Sequence, residues 1–209
     1  MPPIKLYGPP ASSYVRTARL VCLEKSVPHV LEPIELGSDA HGERHPWHRV
    51  PVLEHGDVRL YETSAIARYV DEIGEGPSLV PARPPERAAM EQWISAINSY
   101  VYDAVVRNYV LVYVRSMLSK QPLDTDAVRA GAPKMERDLG RLDAAYAKRP
   151  WLAGEALSLA DLFVAPIVAT TAMFDEGRAA LARLPHLSRA LEQLASRPSF
   201  ATVHANLFA

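Results

Sequence analysis

A single cysteine, Cys22, in 209 residues leaves nothing for an internal disulfide to join, so stability has to come from a packed core. Charge of one sign is equally scarce. Lysines and arginines number 23 against 24 acids, a formal net charge of −1, which offers no basic footprint for nucleic acid and no attraction to an anionic membrane. Long apolar runs are missing too: the longest mostly apolar stretch, residues 162–174, holds Pro166, Thr170 and Thr171 and falls short of the ~20 residues that span a bilayer. The opening Met-Pro-Pro-Ile-Lys-Leu-Tyr has neither the basic nor the apolar region of a secretion signal, and the expected location is cytoplasmic. No internal repeat or low-complexity segment occurs. What is present, 48% apolar and 22% charged residues, describes a soluble globular chain of one large domain or two small ones.

Four of the 18 prolines fall in Pro77-Ser-Leu-Val-Pro81-Ala-Arg-Pro84-Pro85, which can neither extend a helix nor sit inside a sheet. The expected linker is residues 79–85, between a first domain of residues 1–78 and a second of residues 86–209. In the first, apolar runs of strand length at residues 4–7, 30–36, 52–54 and 58–61 alternate with helical patterns near residues 14–25 and 64–73. Gly56-Asp57 between the last two runs is a hairpin signal, so an antiparallel pair closes one side of the sheet. The order reads β-α-β, then β-β-α. After the linker only helical spacing recurs, at residues 86–119, 125–148, 159–174 and 185–196, and the second domain is expected to be all-helical.

The segment Tyr7-Gly-Pro-Pro-Ala-Ser-Ser-Tyr-Val-Arg16 closes the first strand and opens the first helix, which sets Ser12 and Ser13 at or beside an N-cap. Capping alone would account for either serine. Behind it, in fixed order, stand Arg49-Val-Pro-Val-Leu53, the Gly-Asp hairpin and Leu60-Tyr-Glu-Thr-Ser-Ala-Ile-Ala-Arg-Tyr-Val70. In the second domain Gly154-Glu-Ala-Leu-Ser158-Leu-Ala-Asp161 has the Ser-x-x-Asp spacing of a capping box ahead of an apolar helix, a structural role.

Taken in this order, the elements resemble the cytosolic glutathione S-transferase family over nearly the whole chain, through Val-Pro-Val-Leu, Gly-Asp and Glu-Thr-Ser-Ala-Ile in the first domain and the Ser158–Asp161 box and Arg-Pro-Ser segment in the second. The resemblance implies a thioredoxin-like first domain with a mixed four-stranded sheet, an all-helical second domain, glutathione as cosubstrate, a small hydrophobic electrophile and a homodimer. Pro-Ala-Ser12-Ser-Tyr-Val-Arg16 is similar to the serine motif of the phi and theta classes, in which serine stands four residues before arginine. Ser12 is thereby the implied catalytic residue, with Ser13 as the alternative should the cap fall one residue later. Val50-Pro51 matches the family's cis-proline site, where the valine backbone pairs with the cysteinyl unit of glutathione. Glu62-Thr63 matches its Glu-Ser, which would hold the γ-glutamyl ammonium and carboxylate at a helix start. His41 or Arg49 would meet the glycyl carboxylate.

The loop before Val50 departs from the pattern: the usual Asn-Pro-Phe-Gly reads His45-Pro46-Trp47-His48. His41, His45 and His48 have a spacing that could present imidazoles to zinc on one helix face, but Pro46 breaks the helix, and they are expected to be surface or ligand-facing, with no metal. Tyr109 and Tyr113 share an aromatic helix with Tyr100 and Tyr102, and together with Tyr14 they are the candidates to line the electrophile pocket. Cys22 reads as a small buried hydrophobe. The competing readings are a glutathione-binding module without transfer, to which the altered loop points, and a structural protein of transferase-like fold.

Overall fold

The computed structural model describes residues 3–205. β1 (Ile4–Tyr7) buries Ile4 and Leu6 and leaves Lys5 outside, the two-residue alternation of its sequence. α1 (Ser13–Glu24) carries the chain back to β2 (His29–Glu32), which pairs parallel with β1, as parallel neighbours need a crossover. β2 stops short of residue 36 because Pro33 has no N–H to donate to the ladder. α2 (Asp39–Arg44) follows, opened by the His41 N–H donating to Ser38 Oγ at 3.2 Å. Six residues with Gly42 among them are too short to show a helical period, and this helix has no counterpart in the sequence reading. β3 (Val52–His55) runs antiparallel to β1 and, through Gly56-Asp57, to β4 (Val58–Tyr61), so the sheet is mixed and four-stranded in the order β2-β1-β3-β4. α3 (Thr63–Ile73) then packs against α1, with Val15, Ala18, Val21, Ile66, Ala67 and Val70 wholly buried.

A buried ion pair fixes the end of α3 and the chain that leaves it. Lys25 Nζ stands 3.3 Å from Asp71 Oδ1, with the two side chains 3% and 4% exposed. The ammonium also donates to the carbonyls of Gly76 at 3.2 Å and Pro77 at 3.0 Å, while Asp71 accepts from the Leu79 N–H at 2.8 Å and Ser78 Oγ at 2.9 Å. Each charge is thus met by several partners, which a buried ion needs.

By internal contacts the chain forms two units: Pro81–Leu194, and the residues up to Val80 joined by those from Ala195 on. The former has helices as its regular elements, with one isolated bridge between Trp151 and Gly154 among the described residues. α4 (Pro84–Ala96) tolerates two prolines in its first turn, where no N–H is needed, and continues through a π-helical segment (Ile97–Val110) into α5 (Leu111–Ser119). α6 (Thr125–Tyr146) crosses that segment so closely that a Cβ on Gly131 would stand 2.0 Å from the Asn108 carbonyl oxygen. α7 (Leu159–Thr171) is buried at every residue except Ala169, so the longest apolar stretch is the core helix of this unit. Among the described residues no helix is long and apolar enough to cross a membrane. The Ser158–Asp161 box does the structural work its spacing predicts: Asp161 Oδ2 accepts the Ser158 N–H at 2.9 Å and Ser158 Oγ at 2.8 Å, and Oδ1 accepts the Leu152 N–H at 2.9 Å and Tyr146 OH at 3.0 Å. α8 (Asp175–Leu181) and α9 (Pro185–Ala195) complete the unit.

α10 (Pro198–His204) groups with the first unit, packed on α1. At the end of α1, Glu24 accepts Arg197 Nε at 2.8 Å and Nη2 at 2.5 Å, and Ser199 Oγ as well, a forked clasp. The expected boundaries follow chain order and assign residues 86–209 together; contacts assign the last helix to the sheet-bearing unit.

Candidate active site

The turn from β1 into α1 places the first candidate. Ser12 is the N-cap of α1, held by its own N–H on the Pro9 carbonyl at 3.1 Å, and it is half-buried. The Val15 N–H donates to Ser12 Oγ over a long 3.5 Å. That contact uses a lone pair of the hydroxyl and leaves its proton free to donate, at the positive end of the helix. Ser13 is the first helical residue, 8% exposed, with its carbonyl accepting Thr17 Oγ1.

Gly8 brings Val50 to this turn. Its φ is +145°, and a Cβ there would stand 2.6 Å from Val15 Cγ2 and 3.0 Å from Val50 Cβ. Only a glycine lets the chain beyond β1 pass between those two valines. The Val50–Pro51 peptide is cis, Pro51 is buried, and Val50 lies outside the β1–β3 register, which begins at Val52. Its backbone groups are therefore not used by that ladder.

At the far end of β4, Glu62 is exposed with φ +67°, a backbone region sparsely populated by residues with a side chain and concentrated at functional sites. It is the N-cap residue of α3 yet makes no side-chain cap bond, so the first N–H groups of α3 keep no side-chain acceptor of that kind. Thr63, next in the chain, is 7% exposed.

Two of the three spaced histidines are buried, against the expectation of surface or ligand-facing rings. His41 is 0% exposed, accepts the Gly37 N–H on Nδ1 at 3.1 Å and donates from Nε2 to the Arg49 carbonyl at 2.9 Å. Because Nδ1 accepts, the proton sits on Nε2, and both nitrogens are occupied by the protein's own backbone. Arg49 itself is exposed. His45 is 1% exposed and lies among Glu62, His41 and Arg49, which all act on its charge; burial, the largest effect, lowers its pKa. His48 alone is exposed, edge-on to His41 at 5.3 Å. Among the described residues no group of three or more His, Cys, Asp or Glu side chains is arranged to hold a metal ion.

The tyrosines separate. Tyr109 is 0% exposed, donates to Glu176 Oε2 at 3.0 Å and accepts the Gly177 N–H at 3.0 Å, so its ring and hydroxyl belong to the framework that holds the start of α8 and not to a ligand-facing wall. Tyr113 reaches the same Glu176 oxygen at 2.5 Å but is half-buried, stacked on Phe174 at 4.1 Å. Tyr14, half-buried, follows the serines on α1. Tyr7 was not singled out by the sequence, although it ends β1 just before Gly8. Its hydroxyl donates to Glu54 Oε2 at 2.8 Å under the Arg44 guanidinium, and burial together with Glu54 raises its pKa, which makes it a poor donor to an anion. Cys22 is wholly buried, and burial pushes its thiol up to about 12. Native protein is therefore expected to leave Cys22 unreacted with an aromatic disulfide reagent at mildly alkaline pH, and urea-unfolded protein to react fully. Rapid reaction of the folded chain would contradict this placement.

Comparison with known proteins agrees along the chain. The sequence pattern of "Glutathione S-transferase, N-terminal domain" matches residues 6–78, and that of "Glutathione S-transferase, C-terminal domain" matches residues 104–198. Glutathione S-transferase 3 of Zea mays is 30% identical over 207 residues, covering 96% of this chain and 92% of that one. Among solved structures, maize glutathione S-transferase I in complex with an atrazine glutathione conjugate superposes with a TM-score of 0.85 at 27% identity, covering 98% of both chains. The theta-class glutathione S-transferase of Xanthomonas axonopodis pv. citri, with glutathione bound, superposes with a TM-score of 0.83 at 26% identity, covering 99% of this chain and 100% of that one.

Proposed function

The chain belongs to the glutathione S-transferase family, and we propose that it holds glutathione on its sheet-bearing unit and uses the Ser12 hydroxyl to keep the glutathione sulfur ionised for attack on a hydrophobic electrophile. The observation that carries this reading is Ser12 itself: a half-buried N-cap hydroxyl with its proton uncommitted, whose oxygen accepts from Val15, the residue against which Gly8 passes. A free thiol of pKa ~8.5 is mostly protonated at neutral pH, and lowering it to ~6.5 requires about 2.7 kcal/mol of stabilisation of the anion. A charge-assisted hydrogen bond supplies ~1.5–3 kcal/mol and the helix end a further ~0.3–1. The serine need not become a nucleophile, so no adjacent base is required.

The other contacts follow the same chain elements. The Val50 backbone, beside Pro51, pairs with the cysteinyl unit as an added strand would. Glu62 takes the γ-glutamyl ammonium, and Thr63 with the open end of α3 takes its carboxylate. Arg49 takes the glycyl carboxylate by a forked bond, with His41 holding the Arg49 carbonyl in place and not touching the ligand. For the electrophile each unit offers its own candidate: in the helical unit Tyr113, through the ring it stacks on Phe174, and in the sheet-bearing unit Tyr14, next to the serines.

The test is the ultraviolet titration of the bound thiol. Ser12→Ala should raise its pKa by about one to two units, since a bond of ~1.5–3 kcal/mol is lost at ~1.4 kcal/mol per unit. Conjugation of an activated aryl halide should fall about tenfold to a hundredfold near neutrality and partly recover as pH rises, while glutathione affinity changes far less. Ser13→Ala should leave the titration unmoved and cost about 1 kcal/mol of stability or less. An unmoved titration in Ser12→Ala with glutathione still bound would leave a protein that binds the tripeptide without activating it.

A further inference from the structure

The ring of His45 stands at the junction of the two ends of this binding site. On one side its Nδ1 accepts the Trp47 N–H at 3.2 Å, which fixes the start of the loop that leads to Arg49. On the other its ring lies 4.9 Å from that of Tyr61, the residue before Glu62. Trp47 closes the triangle, 5.9 Å from Tyr61 and 6.3 Å from His45. An accepting Nδ1 has its lone pair free, so this ring is neutral, with its proton on Nε2.

We propose that neutral His45 is a positioning residue that holds the Arg49 loop and Glu62 in register for glutathione, and that protonating it releases both and makes glutathione binding acid-sensitive. The proposal rests on the binding reading above. The Tyr61 ring from β4 packs on it, and the charged and titratable groups that act on it are the Glu62 carboxylate from the β4–α3 junction, His41 from α2 and Arg49 from the loop, with His48 edge-on to His41. A proton on Nδ1 sets two N–H donors against each other across the present hydrogen bond, so the ring must turn or the Trp47 backbone must move. The imidazolium at the same time attracts the Glu62 carboxylate, which is then drawn from the ligand's ammonium, and repels the Arg49 guanidinium. Both displacements withdraw a ligand group, so they act in one direction. Burial and the neighbouring His41 and Arg49 disfavour the charged ring, which keeps His45 neutral near pH 7 and puts the change on the acid side of the ordinary imidazole range.

Calorimetry with S-methylglutathione tests this without the thiol, because the thioether does not ionise and Ser12 drops out of the measurement. Wild-type affinity should fall about tenfold between about pH 7.5 and about pH 5, the loss of roughly one buried hydrogen bond. His45→Asn supplies a non-titrating acceptor for the Trp47 N–H and should bind nearly as wild type at the upper pH, with the fall abolished; His45→Gln replaces it should the asparagine variant not fold. His48→Gln should keep the fall. A wild-type affinity equal at both pH values, or the same acid loss in His45→Asn, overturns the proposal, the latter pointing to His41. Absence of binding at every pH overturns the binding reading itself and this proposal with it.

Discussion

Asp161→Ala should destabilise the folded chain by about 3–5 kcal/mol, a large share of the ~5–15 kcal/mol that holds a domain of this size together. The carboxylate is wholly buried and accepts four hydrogen bonds, from the Ser158 N–H and Oγ, the Leu152 N–H and Tyr146 OH. Alanine leaves all of these donors unpaired inside the protein, where each costs ~1–3 kcal/mol unless water enters. Asp161→Asn keeps the shape but turns an amide NH2 toward donors, so it should recover only part of the loss. Tyr146→Phe removes one donor and its need together and should cost about 1 kcal/mol. Urea unfolding with an unchanged slope measures all three. A loss under ~1 kcal/mol in Asp161→Ala would mean that the start of α7 is held by its apolar packing and not by this carboxylate.

Asp71→Ala should cost a similar ~3–5 kcal/mol for a different reason: it strands the Lys25 ammonium, 3% exposed, with only the Gly76 and Pro77 carbonyls. The Leu79 N–H and Ser78 Oγ lose their acceptor as well. The double replacement Lys25→Met with Asp71→Leu removes the stranded charge, and its cost should drop to about 1–3 kcal/mol, what remains being the unpaired Leu79 N–H. A double variant as unstable as the two single losses added together would show that the ions act independently. Since Lys25 follows α1 and Asp71 lies near the end of α3, this pair fastens together the two helices whose first turns carry Ser12 and Thr63. Its loss should therefore also weaken glutathione binding.

The fold was legible where a period or a turn signal was long enough to read. The β-strand alternation of Ile4 to Tyr7, the Gly-Asp hairpin and the capped apolar helix after Ser158 are local patterns, and each formed where its residues indicate. α2, α8 and α10 span six or seven residues and escaped, because fewer than two turns show no stripe. The π-helical stretch escaped for another reason: its side chains alone do not distinguish an i+5 from an i+4 ladder. In the site, Ser12 at a cap could be read from spacing, whereas the burial of His41 and His45 could not. Both depend on partners supplied by other parts of the chain: the Arg49 carbonyl for His41, the Tyr61 ring for His45. Tyr109 and Tyr113 stand four positions apart on one stripe, and only the arrival of Glu176 and Gly177 decides that the first is framework.

The clasp of Arg197 and Ser199 on Glu24 joins residues 173 and 175 positions apart in the chain. The unit that carries the sheet is therefore assembled from two separate stretches of sequence, with the residues of the helical unit intervening in chain order. On a ribosome, β1 to α3 emerge long before the helix that covers α1, so the sheet-bearing unit waits, incomplete, while the inserted helices are still being made. A fragment cut at residue 80 would keep every glutathione contact proposed here and still lack the cover of its first helix.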